Sequence, residues 1–202
     1  MIKLGILGST RGTNMLTLIE AIESGTLAAS IEVVISNKSN ALILERAAAK
    51  GIPIETVNPK GFVAGESDRI MSDLLSQYHV DLVVLIGYMR ILSKEFVSLW
   101  NNKIINVHPS LLPAFAGKMD GDVHQAVLDS GVKETGCTIH YVTEQVDAGP
   151  IILQKKCRVL AGDTADSLKE RVQLLEGCAL IEAISVIRHS TNPSIAHYPI
   201  HS

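Results

Sequence analysis

Short apolar runs recur along the chain, separated by segments in which apolar residues fall at helical spacing. "IKLGIL" (2–7), "IEVVIS" (31–36), "IPIETV" (52–57), "DLVVLIG" (81–87) and "KIINVH" (103–108) predict strands covered on both faces, as in a parallel sheet. Between them, the segments 14–24, 41–50 and 67–78 predict helices; Leu16, Ile19, Ala21 and Ile22 share one helical face. Alternating β and α elements give a doubly wound α/β fold. Beyond residue 120 the rhythm changes to a helix near 122–130, the runs "TGCTIHYV" (135–142) and "PIILQKKCRV" (150–159), and a long helix near 164–188. Two consecutive strands joined through "TEQVDAGP" predict that the mostly parallel sheet ends in a mixed or antiparallel part. No repeat or linker divides the chain, so one domain is expected over 1–189, and "STNPSIAHYPIHS" (190–202), with two prolines and no clear period, is expected to be an irregular tail.

Composition narrows the function classes. The 202 residues are 47% hydrophobic and 19% charged, enough apolar residue for one large core. A net charge of -3 and a pI near 6.2 leave no basic surplus to follow a phosphate backbone, so nucleic acid is not the expected partner. Cys137, Cys157 and Cys178 are odd in number and lack CxxC spacing, which argues against a disulfide framework or a cysteine zinc site and for small core hydrophobes in a reducing compartment. The N-terminal "MIKLGILGSTRG" is too short for a signal h-region or a membrane span, so a cytoplasmic protein is expected. The remaining histidines, His79, His124, His140, His189, His197 and His201, show no metal-ligand spacing, and no metal is expected.

Four stretches carry residue types suited to chemistry. "GILGSTRGTNM" (5–15) runs from a strand through small residues into a helix, where backbone N–H groups cradle a phosphate and Thr13 and Asn14 add side-chain hydrogen bonds. It fits neither GxGxxG nor a Walker A motif, and a tight turn capped by Thr13 or Asn14 is the purely structural alternative. In "KIINVHPSLLPAF" (103–115), Asn106 and His108 interrupt an apolar strand two residues apart, hence on one face, and Pro109 and Pro113 end it. Both then lie at the carboxyl end of a strand, where open α/β sheets bind ligands. "VDAGP" (146–150) sets Asp147 in a turn between two strands; an Asx turn is its plain alternative. "GYMRILS" (87–93) follows a strand with an apolar loop that holds Arg90, and core packing at the start of the next helix is the plain reading of Met89, Ile91 and Leu92. Glu176, in "RVQLLEG", reads as a solvated helix carboxylate.

Taken in order, "GSTRGTN", "GYMRILS", "NVHPSLLPAF" and "VDAGPIILQ" resemble the folate-dependent formyltransferase family across nearly the whole chain. "HPSLLP" is shared by the wider family, which includes methionyl-tRNA and sugar N-formyltransferases and a deformylase. The N-terminal loop and the length resemble the branch that formylates glycinamide ribonucleotide in purine biosynthesis. The resemblance implies 10-formyltetrahydrofolate as co-substrate, glycinamide ribonucleotide as acceptor, and a monomer or homodimer. It implies Gly12, Thr13 and Asn14 on the phosphate, Glu176 on the ribose, and Met89, Arg90, Ile91, Leu92 and Asn106 on the folate. Asn106, His108 and Asp147 would be catalytic, with Asp147 favouring the imidazolium of His108. Two departures stand out: "FVAGES" offers Ala64 and Gly65 where the resemblance implies an arginine, with Arg69 a helical turn later, and the loop 116–127 around His124 is longer than in some relatives.

Overall fold

The computed structural model describes residues 1–118 and 120–190. Its elements alternate along the chain: β1 (Ile2–Gly8), α1 (Thr13–Glu23), β2 (Ala29–Ser36), α2 (Leu42–Ala49), β3 (Ile54–Thr56), α3 (Glu66–Gln77), β4 (Leu82–Ile86), α4 (Lys94–Leu99) and β5 (Ile104–His108). Then follow α5 (Asp120–Ser130), β6 (Glu134–Tyr141), β7 (Ile151–Arg158) and α6 (Ala165–Ser190). The strands form one seven-stranded sheet in the order β3-β2-β1-β4-β5-β6-β7. β1 to β5 pair in parallel, whereas β5 with β6 and β6 with β7 pair antiparallel, as the change of rhythm after residue 120 predicts. The tail expected to be irregular lies, beyond Ser190, outside the described residues.

Successive side chains of each strand enter opposite layers, which is why the runs are apolar throughout. Leu4, Ile6, Val34, Val84 and Ile105 pack with Met15, Leu18, Val172, Leu180 and Ile184 of α1 and α6. Leu7, Val33, Ile35, Val83 and Leu85 pack on the other side with Met71, Leu75, Phe96 and Trp100. Phe96 and Trp100 stack with ring centroids 6.4 Å apart, and the indole nitrogen donates to Ser72 Oγ at 3.0 Å. The short α4 starts at Ser93, whose hydroxyl accepts from Phe96 N. The three cysteines divide: Cys137 is core, Cys157 half-buried, and Cys178 exposed on α6, so the expectation of three core hydrophobes holds for one. Among the described residues no helix is long and apolar enough to cross a membrane.

The topology decides where a ligand can sit. Strand order reverses between β1 and β4, so the chain leaves their carboxyl ends in opposite directions and opens a crevice there. The loops after β1, β4 and β5 all reach that edge, and they are the loops that carry three of the four chemically suggestive stretches.

Candidate active site

Gly12 turns the loop after β1 into α1. It sits in left-handed backbone (φ 70°, ψ 33°), and a Cβ there would lie 2.4 Å from Ile43 Cγ1. No side chain caps this helix, so neither Thr13 nor Asn14 is a capping residue. Asn14 is buried instead, and its Nδ2 donates to Glu176 Oε2 of α6 at 2.7 Å. Glu176 is therefore tied to the loop and is not the free surface carboxylate its local sequence suggests. The Asn14 Oδ1 has no hydrogen-bond partner among the described residues. Gly12→Ala is expected to cost about 1–3 kcal/mol of stability, because the φ is unfavourable for alanine and the Cβ meets Ile43. Urea denaturation midpoints check this.

Ser9, unremarked in the sequence, locks this loop to the next. Its N–H donates to Gly87 O at 3.1 Å, and its hydroxyl accepts from Met89 N at 3.1 Å. In the 87–93 loop, Met89 and Ile91 are exposed at the crevice while Leu92 is buried in the core with Phe96. Only for Leu92 does the core-packing alternative describe the side chain. Arg90 reaches Ser67 Oγ at 3.3 Å, and Asp68 accepts from Ser93 N at 2.6 Å, so the start of α3 braces the loop.

The centre of the site assembles on β5 and β6. Antiparallel register sets Asn106 opposite His140 and His108 opposite Thr138. Thr138 Oγ1 donates to Ser110 O at 2.7 Å and accepts from Leu112 N at 3.0 Å, and Gln154 Nε2 donates to Leu112 O at 2.9 Å. The turn after His108 is thereby fixed through side chains of β6 and β7. Asp147 arrives from the β6–β7 connection, where a Cβ on Gly149 would fall 1.8 Å from Tyr141 O; only glycine lets the backbone approach so closely.

Asp147 itself has φ 54°, a backbone that aspartate and asparagine tolerate better than most residues. Its carboxylate makes no Asx turn. Oδ2 accepts from Gly117 N at 2.8 Å and lies 3.3 Å from His108 Nδ1, while Oδ1 is 3.7 Å from His140 Nε2. Thus Asn106, His108 and Asp147 converge, joined by His140. His108 is nearly fully buried (4% exposed) with Nε2 3.3 Å from Phe115 O. Both ring nitrogens face acceptors, an arrangement that only the doubly protonated ring satisfies. Burial nonetheless pushes the His108 imidazolium below its ordinary value, while Asp147 and the Phe115 carbonyl pull upward. Asp147 favours the charged ring, but desolvation outweighs it.

His140 is the member that sequence reading missed. The available signal was the matched spacing: "NVH" and "TIH" each set two polar side chains at alternate positions of apolar strands, and antiparallel pairing stacks such pairs against each other. His124 is buried on α5, so the stretch read as a loop over 116–127 is helical from Asp120 onward. Among the described residues no group of three or more histidines, cysteines or carboxylates could hold a metal ion.

A family described as formyl transferase matches residues 2–184. The phosphoribosylglycinamide formyltransferase of Escherichia coli (strain K12) is 40% identical over 172 residues, covering 85% of this chain and 80% of that protein. The trifunctional purine biosynthetic protein adenosine-3 of Bos taurus is 41% identical over 186 residues, 92% of this chain, but the chain spans 18% of its length. The solved glycinamide ribonucleotide transformylase 1 from Symbiobacterium toebii superposes with a TM-score of 0.89 at 38% identity, covering 94% of this chain and 89% of that one.

Proposed function

The chain belongs to the formyl transferase family, and from that premise we propose that it transfers a formyl group from 10-formyltetrahydrofolate to the amine of glycinamide ribonucleotide, a step of purine biosynthesis. The observation that carries this reading is the convergence of Asn106, His108 and Asp147 at the carboxyl ends of the strands, beside a phosphate-type loop. Gly12, Thr13 and Asn14 take the acceptor's phosphate at the N-terminus of α1, where N–H groups and the helix dipole favour an anion. Asn14 Oδ1, without a partner among the described residues, suits a hydroxyl of the acceptor, and Glu176, held 2.7 Å from Asn14 Nδ2, accepts from the ribose hydroxyls. Exposed Met89 and Ile91 offer apolar surface to the flat ring of the folate, with Leu92 beneath them, and Arg90 offers charge to its carboxylates. With Ala64 and Gly65 in the neighbouring segment, Arg90 and Arg69 are the cations at hand.

The acceptor amine attacks the formyl carbon, and negative charge develops on the formyl oxygen in a tetrahedral species. Asn106 Nδ2–H and protonated His108 donate to that oxygen. Since His108 Nδ1 faces Asp147, Nε2 is the nitrogen that reaches substrate, exchanging Phe115 O for the formyl oxygen. Asp147 holds the imidazolium and relays the proton lost by the attacking amine to the folate nitrogen. The bond from the formyl carbon to that nitrogen then breaks, the carbonyl re-forms on the acceptor and tetrahydrofolate leaves protonated. No covalent enzyme intermediate and no metal are needed. The site is built within one chain, so a monomer or a homodimer serves equally.

Exchanging the acceptor tests the substrate assignment. Turnover with glycinamide ribonucleotide and none with an amino sugar nucleotide is expected; the reverse preference would move the chain to the sugar-modifying branch. Asn14→Ala is expected to raise the KM for the ribonucleotide more than it lowers kcat, because the loop contacts a group remote from the reacting carbon. Steady-state kinetics in both substrates check this, and a constant KM with a collapsed kcat would contradict the assignment of this loop to the acceptor.

A further inference from the structure

We propose that His140 is a positioning residue for the formyl transfer, its Nε2 lone pair holding the Asn106 amide with one N–H aimed at the reacting carbonyl. The inference rests on the formyl-transfer reading and deepens it. His140 is almost entirely buried (2% exposed), on β6 directly opposite Asn106. Its Nδ1 lies 2.9 Å from Tyr141 O, and a carbonyl can only accept, so Nδ1 carries the hydrogen. In the singly protonated ring Nε2 is then an acceptor, and Asn106 Nδ2, 3.2 Å away, donates to it. That bond settles which way the amide faces. The amide nitrogen has two hydrogens; His140 engages one, and the other remains for the formyl oxygen. Flipped about its last torsion, the same amide would present Oδ1 to an oxygen gaining negative charge, which repels where stabilisation is required.

The surroundings keep the ring in this form. Asp147 Oδ1 is 3.7 Å from Nε2, beyond hydrogen-bond range, and its carboxylate is already engaged by His108 and Gly117 N. Two imidazolium rings around one carboxylate would repel, and burial, which outweighs the pull of Tyr141 O and Asp147 toward the charged ring, favours the uncharged state of His140. The division of labour follows: His108 takes the charge that Asp147 supports, and His140 stays an acceptor for Asn106.

The test pairs a spectroscopic and a kinetic readout. In the wild-type protein labelled with ¹⁵N-histidine, long-range proton–nitrogen correlation at neutral pH is expected to show His140 protonated at Nδ1 and bare at Nε2; a hydrogen on Nε2 would overturn the proposal. His140→Ala is expected to lower kcat about 10- to 100-fold with little change in either KM, as loss of aim at the reacting centre does. His140→Gln, whose Oε1 reaches the same place to accept from Asn106, is expected to recover most of it. An Ala variant with wild-type kcat, or a folded Gln variant no better than Ala, would overturn it. If the Ala variant does not fold, the tautomer and the Gln variant still decide. Should the wild-type protein transfer no formyl group, the formyl-transfer reading fails by itself, and the His140–Asn106 pairing is judged separately from the tautomer and the Asn106 side-chain amide resonances.

Discussion

Asn106→Ala is expected to lower kcat for formyl transfer by on the order of 100–1,000-fold, the loss found when one oxyanion donor is removed. Asn106 sits half-buried on the edge of the crevice and its amide is held by His140, so its truncation removes a donor without opening the core. The KM for either substrate should move little, since the donor acts on charge that appears only in the transition state. His108→Ala should fall at least as far, because it removes a donor and the proton carrier together. Rapid-quench measurement of the chemical step separates this loss from changes in product release. A variant of either residue that keeps near-normal kcat would remove that residue from the mechanism.

Asp147→Asn should reduce activity by at least about tenfold while leaving stability within about 1 kcal/mol of the parent. Asparagine tolerates the φ of 54° and keeps an oxygen to accept from Gly117 N, so the connection retains its shape. What disappears is the charge 3.3 Å from His108 Nδ1. Burial already pushes that ring below its ordinary value, and Asp147 is the first cause working against burial. Without the carboxylate, the His108 pKa drops further. The acid form required for donation is lost as pH rises through that pKa, so the alkaline limb of the pH–rate profile should move to lower pH. Full activity with an unmoved profile would leave Asn106 and His108 to account for catalysis alone. An unfolded variant would show instead that the carboxylate's hold on residue 117 is structural.

The parts of the fold that were legible in the sequence are those that local periodicity records. β1 and β4 are buried almost throughout on both faces, so their runs are continuous and their positions follow directly. β3 is shorter than its apolar stretch, Ile54–Thr56 against 52–57, because it pairs only with the end of β2 at the edge of the sheet. Asn106 and His108 were visible because polar side chains broke an apolar strand just before two prolines. His140 breaks an apolar strand too, but a lone histidine there has a ready structural explanation, and its significance lies in the register with Asn106. Glu176 and Asn14 are 162 residues apart, and no local pattern carries such a contact. Ser9 likewise matters only because β4 lies beside β1. Strand pairing and loop closure supply what periodicity cannot.

The most direct measurement follows a ¹³C-labelled formyl group by NMR when the purified protein is mixed with labelled 10-formyltetrahydrofolate and glycinamide ribonucleotide. The account predicts that the label appears on the ribonucleotide nitrogen as an amide, one for each tetrahydrofolate released, and that Asn106→Ala slows its appearance by on the order of 100–1,000-fold. Binding of both compounds without transfer, as in a catalytically silent folate- or nucleotide-binding module, or release of the label as free formate with the acceptor present, would contradict it.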